Sequence, residues 1–303
     1  MDIIFAGSPS SSAEILSKLV KSSFNVSLVL TQGDKRSARN KPEEPSEVAK
    51  FAESKSLPCI KIDSFCDETV NKINKYPCDI LVLSSFGKII PQEILQYPSI
   101  TPLNIHFSIL PLYRGASPIQ SALLNGDNKT GISFMEMVES LDKGPVFDVF
   151  EVEISYSDNR ISLEKKLVAK AVNSIVDVLH RVSNGLQPVA QADDGVSYCK
   201  KISKEDGRIN FSDTAVEILN KYRAFSGWPG TFFEFKDINI KVHGMHVIEA
   251  DSDDIPGSII DVKKDGIYIR AVDSVIVITH IQLPGKKIIN SADIHNSYKD
   301  FFV

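Results

Sequence analysis

The 303-residue chain holds only four cysteines and one tryptophan. Cys59, Cys66, Cys78 and Cys199 form no Cys-x-x-Cys pair and no spacing suited to a metal, so reduced, structural thiols are expected. Six histidines include the pair His243-x-x-His246, but its surroundings read as strand with no cysteine near, and no metal is expected. No apolar run approaches the ~20 residues needed to span a bilayer. The first residues begin a strand without a basic region or a signal-peptide core, so no membrane and a cytoplasmic location are expected. No Gly-x-Gly-x-x-Gly follows the first strand and no Gly-x-x-x-x-Gly-Lys loop occurs anywhere, which leaves dinucleotide and ATP sites unsupported.

Positive charge is also in deficit. The chain carries 34 Lys and Arg against 39 Asp and Glu, a net charge of −5, which argues against indiscriminate nucleic-acid binding because phosphates are neutralised by clustered cations. Local clusters remain. Lys35, Arg36, Arg39 and Lys41 lie in a polar loop that runs from Thr31 to about Pro45, and Lys200, Lys201 and Lys204 lie further on, while Glu43, Glu44 and Glu47 directly follow the first cluster.

Hydrophobic side chains make up 43% of the chain and charged ones 24%, the composition of an ordinary globular protein long enough for two cores. Short β-rich runs at 2–5, 26–31, 59–62, 79–84 and 102–106 alternate with helical stretches. That rhythm predicts an α/β unit with a mostly parallel sheet. A long amphipathic pattern over 160–181 closes this unit. From 184 to 207 the composition shifts to Gly, Gln, Asp, Ser and Lys, and a linker is expected there. Beyond it come one helical stretch at 214–223 and strands at 231–235, 239–246, 257–262, 266–271 and 275–282, with Lys264-Asp265-Gly266 as a hairpin turn. Several short strands of this kind predict a small β-barrel. The expected domains are therefore 1–183, a linker at 184–207, and 208–303.

The chemistry concentrates in Leu103-Asn104-Ile105-His106-Phe107-Ser108-Ile109-Leu110-Pro111, in Arg114-Gly115, and in Ser140-Leu141-Asp142-Lys143-Gly144-Pro145. Strand side chains alternate faces, so Asn104 and His106 point the same way. An amide donor beside an imidazole suits a site where negative charge develops on a carbonyl oxygen under nucleophilic attack. Asp142, in a Gly- and Pro-bounded loop, is expected to orient His106 and to raise its pKa from about 6.5. Taken singly, Asn-x-His also suits a buried hydrogen-bonding pair, and Leu-Asp-Lys-Gly-Pro an ordinary turn.

Together, the segment from Asn104 to Pro145 resembles the catalytic core of the 10-formyltetrahydrofolate-dependent formyltransferases, with its Asn-x-His-x-Ser-x-Leu-Pro element, Arg-Gly and Leu-Asp-x-Gly-Pro. The whole chain, from Ile3-Ile4-Phe5-Ala6-Gly7-Ser8-Pro9 onward, is similar to the branch of that family that acts on methionyl-tRNA. Three further stretches carry this likeness: Thr31 to Arg36, Lys200 to Phe211, and Arg223-Ala224-Phe225-Ser226-Gly227-Trp228-Pro229-Gly230.

The resemblance implies a Rossmann-like formyltransferase domain followed by an oligonucleotide-binding-like (OB-like) barrel that contacts tRNA. It implies transfer of a formyl group from 10-formyltetrahydrofolate to the α-amine of initiator methionyl-tRNA, by a monomer and without a metal. Asn104, His106 and Asp142 are then catalytic. Ser85, Phe86, Gly87, Ser108, Ile109, Leu110 and Pro111 would contact the folate, with Ser108 bonding its loop or the folate and not acting as a nucleophile. Lys35, Arg36, Arg39 and Lys41 would contact the tRNA.

Two departures stand out. Leu112-Tyr113 replaces an Arg-aromatic pair before Arg-Gly, and Ser10-Ser11-Ser12 replaces bulkier residues after the first strand. From Arg208 onward there are 11 Lys and Arg against 13 Asp and Glu, a net charge of −2, where a tRNA-binding domain is expected to be basic. A small-molecule formyltransferase acting on an amino-sugar nucleotide or on glycinamide ribonucleotide would share the three catalytic residues. A further alternative is a noncatalytic or hydrolytic derivative, for instance a folate-binding module that has lost transfer, against which the presence of Asn104, His106 and Asp142 argues.

Overall fold

The computed structural model of the chain describes residues 1–36, 42–250 and 253–302, with Lys35 and Arg36 described by backbone alone. It contains two compact units, one of Met1–Pro118, Lys129–Glu153 and Glu164–Cys199, the other of Ile119–Asn128, Ile154–Leu163 and Lys200–Val303.

The elements up to Cys199 are, in order, β1 (Asp2–Gly7), α1 (Ser10–Val20), β2 (Asn25–Gln32), β3 (Lys35–Arg36), β4 (Glu43–Glu44), α2 (Glu47–Ser54), β5 (Cys59–Ile62), α3 (Asp67–Ile73), β6 (Ile80–Ser84), α4 (Gln92–Leu95), β7 (Thr101–His106), β8 (Arg114–Gly115), α5 (Pro118–Leu124), β9 (Lys129–Glu136), β10 (Val146–Glu153), α6 (Arg160–Ser183) and β11 (Tyr198–Cys199). The main sheet of the first unit has the order β10-β9-β7-β6-β1-β2-β5. β5, β2, β1, β6 and β7 pair in parallel, while β9 and β10 add an antiparallel edge.

The parallel strands read as nearly unbroken apolar runs, Ile3 to Ala6 and Leu28 to Leu30 among them, because both faces are buried. β10 at the edge instead alternates, with Glu151 and Glu153 exposed. The chain winds from β1 out through β2 and β5, then returns to the other side of β1 with β6. Ligands bind at such a reversal, beyond the carboxyl ends of the strands. Ser12, one of the three small residues after β1, is fully buried and donates from Oγ to Ser84 O at 2.6 Å, tying α1 to the end of β6. Ser12 also packs so close to Gly7 that position 7 must be glycine, because a Cβ there would lie 2.7 Å from Ser12 Cβ and 2.9 Å from Ser84 O.

Residues expected to form the linker run back along the first unit. Val189 bridges to Val146, and β11 pairs in parallel with β8.

The second unit continues with a 3-10 turn at Glu205–Gly207, α7 (Ala215–Ala224), β12 (Thr231–Phe235), β13 (Ile238–Ile248), β14 (Ile259–Lys263), β15 (Gly266–Arg270), β16 (Val275–Gln282), β17 (Ile289–Asn290), α8 (Ser291–Ser297) and α9 (Lys299–Phe302). Its strands form one antiparallel sheet of order β12-β13-β16-β15-β14, with β17 added on β16. The alternating Ile and Val of β13, β15 and β16 supply the buried core, which Ile218 of α7, Ile294 of α8 and Phe302 of α9 complete. α7 opens with a capping box, Thr214 accepting from Glu217 N at 3.2 Å and Glu217 accepting from Thr214 N at 2.8 Å.

Candidate active site

Strand alternation puts Asn104 and His106 on one face at the end of β7. With Asp142 they line a cavity of about 610 Å³ beyond the carboxyl ends of β6 and β7, the edge of the parallel sheet at which ligands bind and one strand to the side of the reversal between β1 and β6. The Asn104 carboxamide makes no hydrogen bond among the described residues, so its N–H donors are available to whatever enters.

His106 is held from behind. Its Nε2 lies 3.0 Å from Tyr113 O, and since a carbonyl only accepts, that partner assigns the ring proton to Nε2. Nδ1 is then a bare lone pair, 3.7 Å from Asp142 Oδ2. The gap exceeds hydrogen-bond length. Asp142 Oδ2 instead accepts from Gly115 N at 2.8 Å. The expected rise in the histidine's pKa is not found. Burial of the imidazole pushes it below the ordinary value, and the opposing pulls of the Asp142 carboxylate and the Tyr113 carbonyl are smaller. The ring is neutral near pH 7.

Three residues at the site, Ser85 (φ 47°), Tyr113 (φ 57°) and Asp142 (φ 51°), have left-handed backbones that side-chain-bearing residues seldom adopt. Tyr113 in that conformation aims its carbonyl at His106. The two motif glycines have separate causes. A Cβ on Gly144 would sit 1.8 Å from Glu136 O, and one on Gly115, where φ is +121°, 2.2 Å from Cys199 O. Only hydrogen fits at either place.

The cavity draws together Ser85, Phe86, Gly87, Asn104, His106 and Asp142. Phe86 contributes backbone only, because its ring is fully buried in the core and its carbonyl accepts from Gln32 Nε2. Ser108, Ile109, Leu110 and Pro111 are not among the lining residues. Ser108 is fully buried and donates to Leu112 O at 2.6 Å, while its carbonyl accepts from Ser133 Oγ at 2.7 Å, so this stretch braces the loop behind His106. The apolar wall is supplied by Ile89, Ile90, Met135, Met137, Val138 and Leu141, which sequence reasoning did not single out. The spacing of Met135 and Met137 at the end of β9, two apart like Asn104 and His106, was the available signal.

The loop cations are apart from these observations. Lys35 and Arg36 lie on β3, paired by backbone with Glu44 and Glu43 of β4, and Arg39 and Lys41 fall outside the described residues. No cluster of His, Cys, Asp and Glu suited to a metal exists among the described residues.

Residues 1–179 match the formyl transferase family model, and residues 201–299 match that of the formyl transferase C-terminal domain. The chain belongs to the formyl transferase family. It is 36% identical over 304 residues to the methionyl-tRNA formyltransferase of Caldicellulosiruptor saccharolyticus, covering 99% of this chain and 97% of that one. The solved methionyl-tRNA formyltransferase from Clostridium thermocellum shares the fold with a TM-score of 0.59 at 18% identity, over 83% of this chain and 95% of that chain. HypX from Aquifex aeolicus, solved in complex with tetrahydrofolic acid, matches with a TM-score of 0.63 at 17% identity over 97% of this chain. This chain spans 46% of that longer one.

Proposed function

We propose that the protein transfers the formyl group of 10-formyltetrahydrofolate to the α-amine of initiator methionyl-tRNA. The observation that carries this is the convergence of Asn104, His106 and Asp142 in one cavity beside a backbone-lined wall at Ser85 to Gly87, in a chain 36% identical to a methionyl-tRNA formyltransferase along nearly its full length. The cavity suits a folate. Its walls are largely apolar, the backbone at Ser85 and Gly87 lies along them beside a polar ring edge, and an unpartnered carboxamide waits where the formyl oxygen would develop charge.

When bound, 10-formyltetrahydrofolate supplies the formyl group. Asn104 donates a hydrogen bond to the oxygen on which charge builds as the amine adds. Neutral His106 has one free atom, Nδ1, which takes the proton that the amine must lose and returns it to the nitrogen that leaves. Asp142 stabilises the imidazolium in between, a role that needs charge proximity and no direct hydrogen bond. One formyl group and one proton cross in opposite directions, and no covalent enzyme adduct is required.

In this scheme 1–183 is catalytic, 184–207 connects, and 208–303 is the OB-like domain that contacts tRNA, with Lys35, Arg36, Arg39 and Lys41 contacting the acceptor end. The protein works as a cytoplasmic monomer; no helix among the described residues is long and apolar enough to cross a membrane. The test is formyl transfer to initiator methionyl-tRNA by the wild type and by Asn104→Ala. Loss of one such donor costs roughly 10²–10³ in kcat in comparable sites. An undiminished rate in the variant would remove Asn104 from the chemistry.

A further inference from the structure

Asp142 is held in place by a residue far along the chain. Gln191, in the stretch between α6 and β11, uses both ends of its amide. Its Nε2 donates to Asp142 O at 2.8 Å and to Gly144 O at 2.7 Å. Its Oε1 accepts from Arg114 Nε at 3.0 Å and from the Arg114 terminal nitrogen Nη2 at 2.8 Å. Arg114 is buried, and among the described residues it makes no ion pair with a carboxylate; its remaining contact is with Tyr198, through Nη1 to the hydroxyl at 3.3 Å. A buried guanidinium that spends its charge on a neutral amide polarises that amide, which strengthens the two N–H bonds donated on the other side.

The neighbouring residue closes the ring. Gly115 N donates to Asp142 Oδ2 at 2.8 Å, so Arg114-Gly115 grips Asp142 twice, by its carboxylate directly and by its backbone through Gln191. The grip also holds the left-handed backbone of Asp142 at φ 51°, a conformation that aspartate tolerates better than most residues and that still carries some strain.

We infer that Gln191 is a positioning residue: by clamping the Asp142–Gly144 loop to Arg114, it fixes the distance from the Asp142 carboxylate to His106 Nδ1 on which the transfer depends. This rests on the transfer chemistry assigned above to Asp142.

The test compares Gln191→Met, which keeps the volume and loses the amide, with the double variant Arg114→Met/Gln191→Met. The double variant removes both buried partners together and so avoids leaving an orphaned cation. Each is assayed with 10-formyltetrahydrofolate and initiator methionyl-tRNA, alone and combined with Asp142→Asn. The expected result is a fall in kcat of about 10–100-fold, by analogy with the loss of outer groups that orient the ligands of metal sites. KM for both substrates should stay within about threefold, since only transition-state interactions are lost. In the Asp142→Asn background the same changes should cost nothing further, because the residue they position is already gone.

A kcat within about threefold of wild type in the folded variants would overturn the inference. So would a full loss that persists in the Asp142→Asn background, which is what mere damage to the fold would give. Undiminished transfer by Asp142→Asn itself would defeat the assignment of Asp142, and the inference with it. Failure of the Gln191 variants alone to lose rate would leave that assignment standing.

Discussion

His106 sits where two effects of opposite sign meet, and burial prevails over a carboxylate 3.7 Å away. The consequence for stability has a definite sign. A histidine whose pKa in the folded protein lies below its ordinary value of about 6.5 is protonated more readily in the unfolded chain. Its contribution is therefore fully present above about pH 6.5 and is lost as the pH falls below that value. The melting temperature of the wild type should drop between about pH 7 and pH 5 more steeply than that of His106→Asn. Parallel profiles would mean that the imidazole is not depressed. Asn104, His106 and Asp142 were legible in the sequence because period-two alternation and a named motif single them out. The pKa direction was not, since the sequence shows the charge beside the ring and not the depth at which the ring is buried. Gln191 was equally hidden, because its four hydrogen bonds reach 47 to 77 residues along the chain and leave no local pattern.

Among the elements, those with a strong period appear where the sequence puts them. β2, β5, β6, β7 and β12 to β16 fall within a few residues of expectation, and α6 is one unbroken helix over Arg160–Ser183. The elements that the sequence does not show have physical reasons for their silence. β8 and β11 are two residues each, too short for any periodicity, and exist through backbone bonds such as Arg114 N to Ser197 O at 2.9 Å. α8 and α9, seven and four residues long, depend on packing Ile294 and Phe302 into a core assembled from distant strands. α7 carries its own start signal, the reciprocal Thr214 and Glu217 cap. Thr214→Ala should destabilise the protein by about 1 kcal/mol, read as a lower urea midpoint with an unchanged slope. No shift of the midpoint would show that the cap is replaced by solvent.

At the scale of the whole molecule, an acidic protein must handle a polyanion. With a net charge of −5, and −2 from Arg208 onward, attraction to tRNA has to come from few cations, and the number of phosphates neutralised sets how steeply affinity falls with salt. Replacing Arg36 and Arg39 together by Ala should weaken binding of initiator tRNA and lower the magnitude of its log–log salt slope by about 1 for each phosphate that is no longer neutralised. An unchanged slope would place the tRNA-binding surface elsewhere. The most direct measurement offers the purified protein 10-formyltetrahydrofolate with four acceptors side by side: initiator methionyl-tRNA, elongator methionyl-tRNA, free methionine and an amino-sugar nucleotide. Formylation confined to the initiator species is the predicted result, and preferential transfer to the amino-sugar nucleotide would contradict it.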